Sequence, residues 1–357
     1  MSKAKIASML KQAKKKISVY RRMHSWSKAF ESNTSARLLS GEQKKEIHTF
    51  FAPYWKRLNL VLHEFYTQKT GNFYPEYIPD DLYYGYIDPF YNDWDAARVL
   101  DHKCFYRLLM KDIPQPATIA LKIGGFWYVE RDGDLQNVTV QQVVEQVQNH
   151  EVFVKLALES LGGHGVQYLG KDAGADEIRA VLNSVGRDVV IQHALKQSET
   201  MMALNRSSVN TVRVLSLQKR DGSVRIYSAI VRMGVNGAKV DNASSGGITC
   251  GVNGDGSLKP IAYAANGVRY YCHPDTGMHF ETCVIPNYDK IKEIVEKTHP
   301  RFSNFRLLSW DFAIDEHDQP VLIELNMHNG ELDFHQLNNG PLFGEDTEEI
   351  LREVFAR

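Results

Sequence analysis

The chain has 357 residues, 43% of them hydrophobic and 24% charged, with 42 Lys and Arg set against 43 Asp and Glu for a net charge of −1. That length provides a sizeable core and two or three lobes, and the composition is that of an ordinary soluble globular protein. The balanced charge excludes a general electrostatic basis for nucleic-acid binding.

Residues 1–22, MSKAKIASMLKQAKKKISVYRR, hold eight Lys or Arg and no acid. Ile6, Met9, Leu10 and Ile17 can share one side of a helix. The segment therefore reads as a basic amphipathic helix able to touch an anionic membrane surface or a partner, or as a plain solvated terminal helix. No stretch approaches the length of a membrane-spanning helix, and the apolar segment of a signal peptide is missing, so the cytosol is the expected location. Residues 1–75 form a helical, basic N-terminal region. It passes into FYPEYIPDDLYYGYIDPFYNDWD, which reads as an irregular packed connection whose rings suit a core, or pyranose packing at a sugar site.

A first lobe is expected over 76–190. It opens with a helix over AARVLDHKCFYRLLMKD, then short strands in TIALKIGGFWYV and a helix at TVQQVVEQVQN. Next come EVFVKLALESLGGHGVQYLG, the helix ADEIRAVLNSVG and the strand DVVIQHAL. The second lobe, 191–357, is mainly strands; within NTVRVLSLQKRDGSVRIYSAIVRMG, RDGS is a strong hairpin signal. A helix, NYDKIKEIVEKTH, precedes a final hairpin. Hairpins among helices give an α+β fold with antiparallel sheets, not a doubly wound parallel one. Cys104, Cys250, Cys272 and Cys283 form no C-x-x-C pair and read as reduced thiols, with a zinc site near His273 and His279 as the weaker alternative.

Polar residues at four places can carry chemistry. Lys155 ends a strand before Gly162, Gly163 and Gly165, where glycines let backbone N–H groups approach a phosphate and the lysine adds charge. This is no Walker A loop, because no Gly-Lys-Ser/Thr closes it and a strand follows; an ordinary hairpin is the alternative. In VNTVRVLSL, Asn210, Val212 and Val214 share one face, and Thr211 and Arg213 the other. DNASSGGITCGVNGDG suits either a loop that closes over a ligand or a plain turn. The final hairpin places Asp311 opposite Glu324, with Leu322, Glu324 and Asn326 on one face and Val321, Ile323 and Leu325 on the other. Two carboxylates and an amide oxygen suit a hard cation, Mg²⁺ above all; a merely solvated hairpin face is the alternative. VFVK and WDF faintly resemble protein-kinase elements, but the glycines follow the lysine and no HRD precedes Asp311.

The order of these signals resembles the ATP-grasp superfamily: a lysine just after an aspartate in LDHKCFYRLLMKDIPQPAT, a strand-end lysine before a glycine loop, the strand VVIQHAL, an arginine strand, a small-residue loop, and D…E-x-N. The wording SSVNTVRVLS, DNASSGGITCGV, SWDFAI and LIELNMHNGELDFHQ is similar to the sugar-transfer-associated ATP-grasp group, over about residues 75–345. The resemblance implies two α+β lobes gripping ATP, with Lys103 and Lys155 on the phosphates and the Gly162–Gly165 loop folded over them. It implies an adenine hinge at Gln192, His193, Ala194 and Leu195, Mg²⁺ on Asp311, Glu324 and Asn326, and Arg213 near the transferred phosphoryl and acyl groups. Two residues depart from the pattern: Leu156, where a proline commonly follows the lysine, and Glu159, an acid close to the expected phosphates.

The implied activity is an ATP- and Mg²⁺-dependent carboxylate–amine ligase working through an acyl phosphate. Its acid would be a uronic sugar or cell-surface polysaccharide precursor, and its amine an amino acid or small amine. Contact with a membrane or glycosyltransferase would run through the basic N-terminal helix. A phosphotransferase acting on a hydroxyl and a non-catalytic nucleotide-binding subunit are the rival expectations.

Overall fold

The computed structural model describes residues 39–158, 165–238, 241 and 246–355; the basic segment 1–22, Gly162, Gly163 and Glu159 lie outside them. A reciprocal capping box opens helix α1 (Gly41–Phe51). Ser40 Oγ accepts from Gln43 N–H, and the Gln43 side chain accepts from Ser40 N–H. Ile47 and Phe51, four residues apart, then face inward. Helix α2 (Val61–Thr70) stops at Gly71, which takes the left-handed conformation at φ 82°.

The tyrosine-rich stretch is helical from Asp80 to Tyr91, with a wide turn over Tyr83–Ile87. This corrects the irregular connection expected for it. Leu82, Tyr83, Ile87 and Tyr91 are buried, and their packing against Leu215, Leu307 and Phe51 overrides the weak local signal. A second correction concerns the long helix expected from Ala96. Helix α3 (Trp94–Leu100) ends early, and the chain is extended at His102 before resuming as short turns over Lys103–Leu109. Lys103 N–H donates to Ala157 O at 3.0 Å, which ties the break to the first sheet.

That sheet contains β1 (Thr118–Ile123), β2 (Phe126–Arg131), β3 (Asp134–Val138), β4 (Val152–Leu156), β5 (Val166–Leu169) and β6 (Val189–His193). The order is β3-β2-β1-β6-β4-β5, every neighbouring pair antiparallel. Strand β3 was not foreseen. Asp132 and Gly133, both at positive φ, form the tight turn that brings it back on β2. Helices α4 (Val140–Val147) and α5 (Ala175–Ser184) cover one face, where Val143, Val147, Ile178 and Leu182 pack on Val152, Val154 and Ile191. Each such fully buried aliphatic side chain contributes about 1.5–3 kcal/mol.

The second sheet contains β7 (Thr211–Gln218), β8 (Val224–Met233), β9 (Ile248–Val252), β10 (Leu258–Ala264), β11 (Arg269–Tyr270), β12 (Leu307–Ile314) and β13 (Pro320–Asn326), in the order β11-β10-β9-β8-β7-β12-β13. Strand β9 shows that ITCGV, expected within a small-residue loop, is a fully buried strand. Helices α6 (Glu199–Leu204) and α7 (Tyr288–Thr298) join the core on one face, with Val212, Val214, Trp310 and Phe312. The N-terminal helices, α8 (Asp333–Asn339) and α9 (Thr347–Phe355) cover the other.

The β12–β13 hairpin keeps the expected pairing of Asp311 with Glu324, but the next pair is Phe312 with Leu322. Ile323 is therefore a bulge. The extra residue turns Leu322 into the core with Leu325, correcting the simple alternation that grouped Leu322 with Glu324 and Asn326.

Candidate active site between the two sheets

Strand register assembles the charged centre. Asp311 on β12 pairs with Arg213 on β7 and with Glu324 on β13. Arg213 Nε and Nη2 donate to the two Asp311 carboxylate oxygens at 2.7 and 2.6 Å, and Arg213 Nη1 meets Glu331 Oε2 at 2.6 Å. Arg232 on β8 adds a second guanidinium, 3.6 Å from Asp311 and 4.0 Å from Asp241. The Thr211 hydroxyl donates to Asp241. Burial alone would push Asp311 and Glu331 upward, but the Arg213 guanidinium, aided by Arg232, holds both below the ordinary carboxylate range. Burial alone would lower Arg213 too, yet the paired acids hold it well above its usual value. Bidentate pairing of this kind is strong and geometrically rigid, and breaking it would leave uncompensated buried charge.

Two lysines reach the same space. Lys103 Nζ donates to Glu324 Oε1 at 2.7 Å, so the helix break described above aims this cation at the second sheet. Lys155 Nζ donates to Gln192 Oε1 at 3.1 Å. Burial, then the neighbouring charge of Lys103, lowers Lys155 to about 8, against a smaller opposing effect of Glu324. Gly165 has φ 75°, and a Cβ there would stand 2.4 Å from Leu156 Cδ1. Leu156 donates its N–H to Gly165 O at 3.1 Å. A proline at this position could not make that bond.

The expected hinge lies at the end of β6. His193 N–H and Ala194 N–H are already given to Ala117 O at 2.9 Å and Glu151 O at 2.8 Å. Ala194 and Leu195 line a cleft of about 440 Å³ with Phe153, Tyr168 and Met202. Phe153 shares its face of β4 with Lys155, whose ammonium lies 5.9 Å from the ring centroid. A recess of mixed lining, with Lys196, Glu199, Arg206 and Glu316 beside these apolar side chains, thus adjoins a partly desolvated cation.

Among the expected residues, Arg213, Asp311, Glu324, Lys103, Lys155 and Gln192 are linked by the contacts above. Asn326 pairs with Ser309, two residues before Asp311 on the strand, and its side-chain amide donates to Ser309 O at 3.5 Å. Among the described residues, no three His, Cys, Asp or Glu side chains converge as a metal site. The hard-cation set is two acids and an amide, and it fits Mg²⁺ by donor chemistry: all oxygen, with Glu324 and Asn326 half-exposed. Arg232 and Glu331 join the charged centre but were not among the expected residues. Arg232 ends the apolar run IYSAIVR, where a lone cation was a legible signal. Glu331 lies in a segment without regular alternation.

A family model described as sugar-transfer associated ATP-grasp matches residues 85–351. The chain belongs to that family. The match contains every expected site residue, and the two antiparallel sheets with a helical N-terminal region are the ATP-grasp architecture expected from the sequence. No curated protein matches the chain. Among solved structures, it is similar to the biotin carboxylase domain of Hydrogenobacter thermophilus 2-oxoglutarate carboxylase, with 14% identity, TM-score 0.43, and 74% of this chain and 47% of that one covered. It is also similar to N5-carboxyaminoimidazole synthetase from Staphylococcus aureus (10% identity, TM-score 0.37, 67% and 50% covered). A third is the D-alanine-D-alanine ligase from Coxiella burnetii (9%, 0.38, 72% and 57%). The chain spans about half the length of these structures. Among its described residues no helix is long and apolar enough to cross a membrane.

Proposed function

We propose that the protein is an ATP- and Mg²⁺-dependent carboxylate–amine ligase that makes an amide through an acyl phosphate. Its acid is a uronic sugar or cell-surface polysaccharide precursor, a choice supported by the family description. The carrying observation is the arginine–acid set locked in strand register, Arg213–Asp311, with Lys103 reaching Glu324 from the turn after α3 and Lys155 on β4 of the other sheet.

Each residue has a defined task in this reading. The recess at Ala194, Leu195, Phe153 and Tyr168 takes the adenine, with Lys155 at its phosphate end. Lys103 and Lys155 hold the phosphates, joined by the Gly162–Gly165 loop. Asp311, Glu324 and Asn326 hold Mg²⁺, which when bound neutralises charge on the β- and γ-phosphates. Arg213 stabilises negative charge on the transferred phosphoryl group and then on the tetrahedral intermediate. The substrate carboxylate oxygen attacks the γ-phosphorus and ADP departs. The amine nitrogen then attacks the acyl carbon, and the C–O bond to phosphate breaks. No side-chain nucleophile is needed.

The test is release of ADP and phosphate from Mg-ATP across a matrix of uronic acids and amines. Release that requires both an acid and an amine is the expected result. Release with a hydroxyl acceptor and no amine would replace the ligase with a phosphotransferase.

A further inference from the structure

The segment that carries Lys103 is fastened along the end of β13. Asp101 Oδ1 accepts from Met327 N–H at 3.0 Å. The Tyr106 hydroxyl donates to Leu325 O at 3.0 Å and accepts from Leu325 N–H at 3.1 Å. Between those anchors Lys103 Nζ donates to Glu324 Oε1 at 2.7 Å, while the Lys103 N–H is held by Ala157 O. The Lys103 side chain is 9% exposed and that of Glu324 29%. A pair of fully exposed side chains would contribute little. Here the fold itself sets an ammonium on one carboxylate of the hard-cation set.

The other carboxylate is occupied as well. Both Asp311 oxygens accept from Arg213, at 2.7 and 2.6 Å, and Arg232 Nη1 stands 3.6 Å from Asp311 Oδ2. A divalent ion entering alone would meet an ammonium and two guanidinium groups at close range, on acids they already neutralise. The cations differ in what can release them. Arg213 is fixed in register on β7 and shared between Asp311 and Glu331. Lys103 is a compact ammonium with three donors on a flexible stem. It also borders the half-exposed side of the set, where Glu324 and Asn326 reach solvent. A phosphate arriving on that side can take over the donors of the ammonium.

We propose that Lys103 stands in for the metal ion: it closes Glu324 to Mg²⁺ until nucleotide phosphate draws the ammonium away. The inference rests on the metal set of the ligase reading and adds an order of events to it. Mg²⁺ alone is turned away, and metal and nucleotide enter together. Mg²⁺ is generally held by one or two carboxylates together with substrate phosphates; the Lys103–Glu324 contact makes the phosphates a requirement. Coupling between two ligands is reciprocal, so ADP and metal strengthen each other by one common factor. Lys103 supplies part of that factor.

The test measures metal binding by the full chain with no acid or amine present. Mn²⁺ replaces Mg²⁺ as the probe, and water-proton relaxation reports the ion bound to protein, with and without ADP. The wild type should bind Mn²⁺ about tenfold or more tightly with ADP than without it. Without ADP, Lys103→Met should bind Mn²⁺ about tenfold or more tightly than the wild type does. Adding Glu324→Gln to that variant should remove the gain. Lys103→Gln, which keeps a donor for Glu324 but not the charge, should show the same gain and guards against misfolding of the first variant. A lysine that serves the phosphates alone would change ADP affinity and leave Mn²⁺ affinity without ADP as it was; that result in the folded variants overturns the proposal. Equal Mn²⁺ affinity of the wild type with and without ADP overturns it too. Turnover separates this from the ligase reading. The expected Mn²⁺ gain without amine-dependent ADP release supports the stand-in and removes the ligase, whereas amine-dependent release without the gain removes the stand-in alone.

Discussion

On the second sheet, Arg213 holds both oxygens of Asp311 and one of Glu331. On the first sheet, Lys155 gives its hydrogen bond to the neutral amide of Gln192. The two surfaces face one cleft with opposite preparation. The second sheet supplies charges already neutralised and fixed by strand register, so that folding organises them before any ligand arrives. The first supplies a cation that burial and Lys103 leave less stable than in water, which a phosphate would complete. Removing a charge should therefore have opposite consequences on the two sides.

The largest effect is expected from Arg213→Ala. It leaves Asp311 and Glu331 buried without their main counterion and should destabilise the fold by about 3–5 kcal/mol, read by denaturant unfolding. A stability loss below about 1 kcal/mol would break the contrast on its rigid side. Glu324→Ala should lower turnover by about 10²–10³-fold; Glu324 is half-exposed, but its partner Lys103 is largely buried, so a stability loss smaller than that of Arg213→Ala should accompany it. Unchanged turnover would remove Glu324 from the site. Leu156→Pro should cost about 1–3 kcal/mol through the lost N–H bond to Gly165; a neutral result would mean that the β4–β5 edge tolerates the more usual residue.

The smallest effect is a pH dependence. Lys155 is lowered to about 8 in the folded chain, from about 10.4 unfolded. The unfolded chain then binds more protons between these values, so this group's contribution to stability rises as pH increases from about 8 toward 10.4. Nucleotide affinity should move the other way, falling as pH passes through about 8 and Lys155 loses its charge. Calorimetry in buffers of different ionisation enthalpy should detect proton uptake on binding near that pH, and Lys155→Met should abolish it.

Much of this arrangement was legible in the sequence because it depends on strand alternation and chain order. The pairing of Asp311 with Glu324 and the placement of Arg213 opposite the apolar Val212 and Val214 face follow from a period of two. The Ile323 bulge does not, because an inserted residue leaves no compositional mark in an apolar strand. The break at His102 was hidden by good helix formers on both sides, and only the tertiary bond from Lys103 N–H to Ala157 O reveals it. Glu331 and Arg213, which meet in the charged centre, are 118 residues apart in sequence (331 − 213), so nothing local joins them. The tyrosines between Phe73 and Trp94 signalled burial correctly but not the helical turns that achieve it.

The most direct measurement of the central claim is MgADP affinity of the wild type and Lys155→Met, taken together with their unfolding free energies. The expected result is an affinity loss of tenfold or more, about 1.4 kcal/mol or greater in line with a charge-assisted contact, with stability unchanged or increased. Equal affinity in the two proteins, or a Lys155→Met chain destabilised as Arg213→Ala is expected to be, would contradict a cleft whose first sheet is completed by nucleotide phosphate.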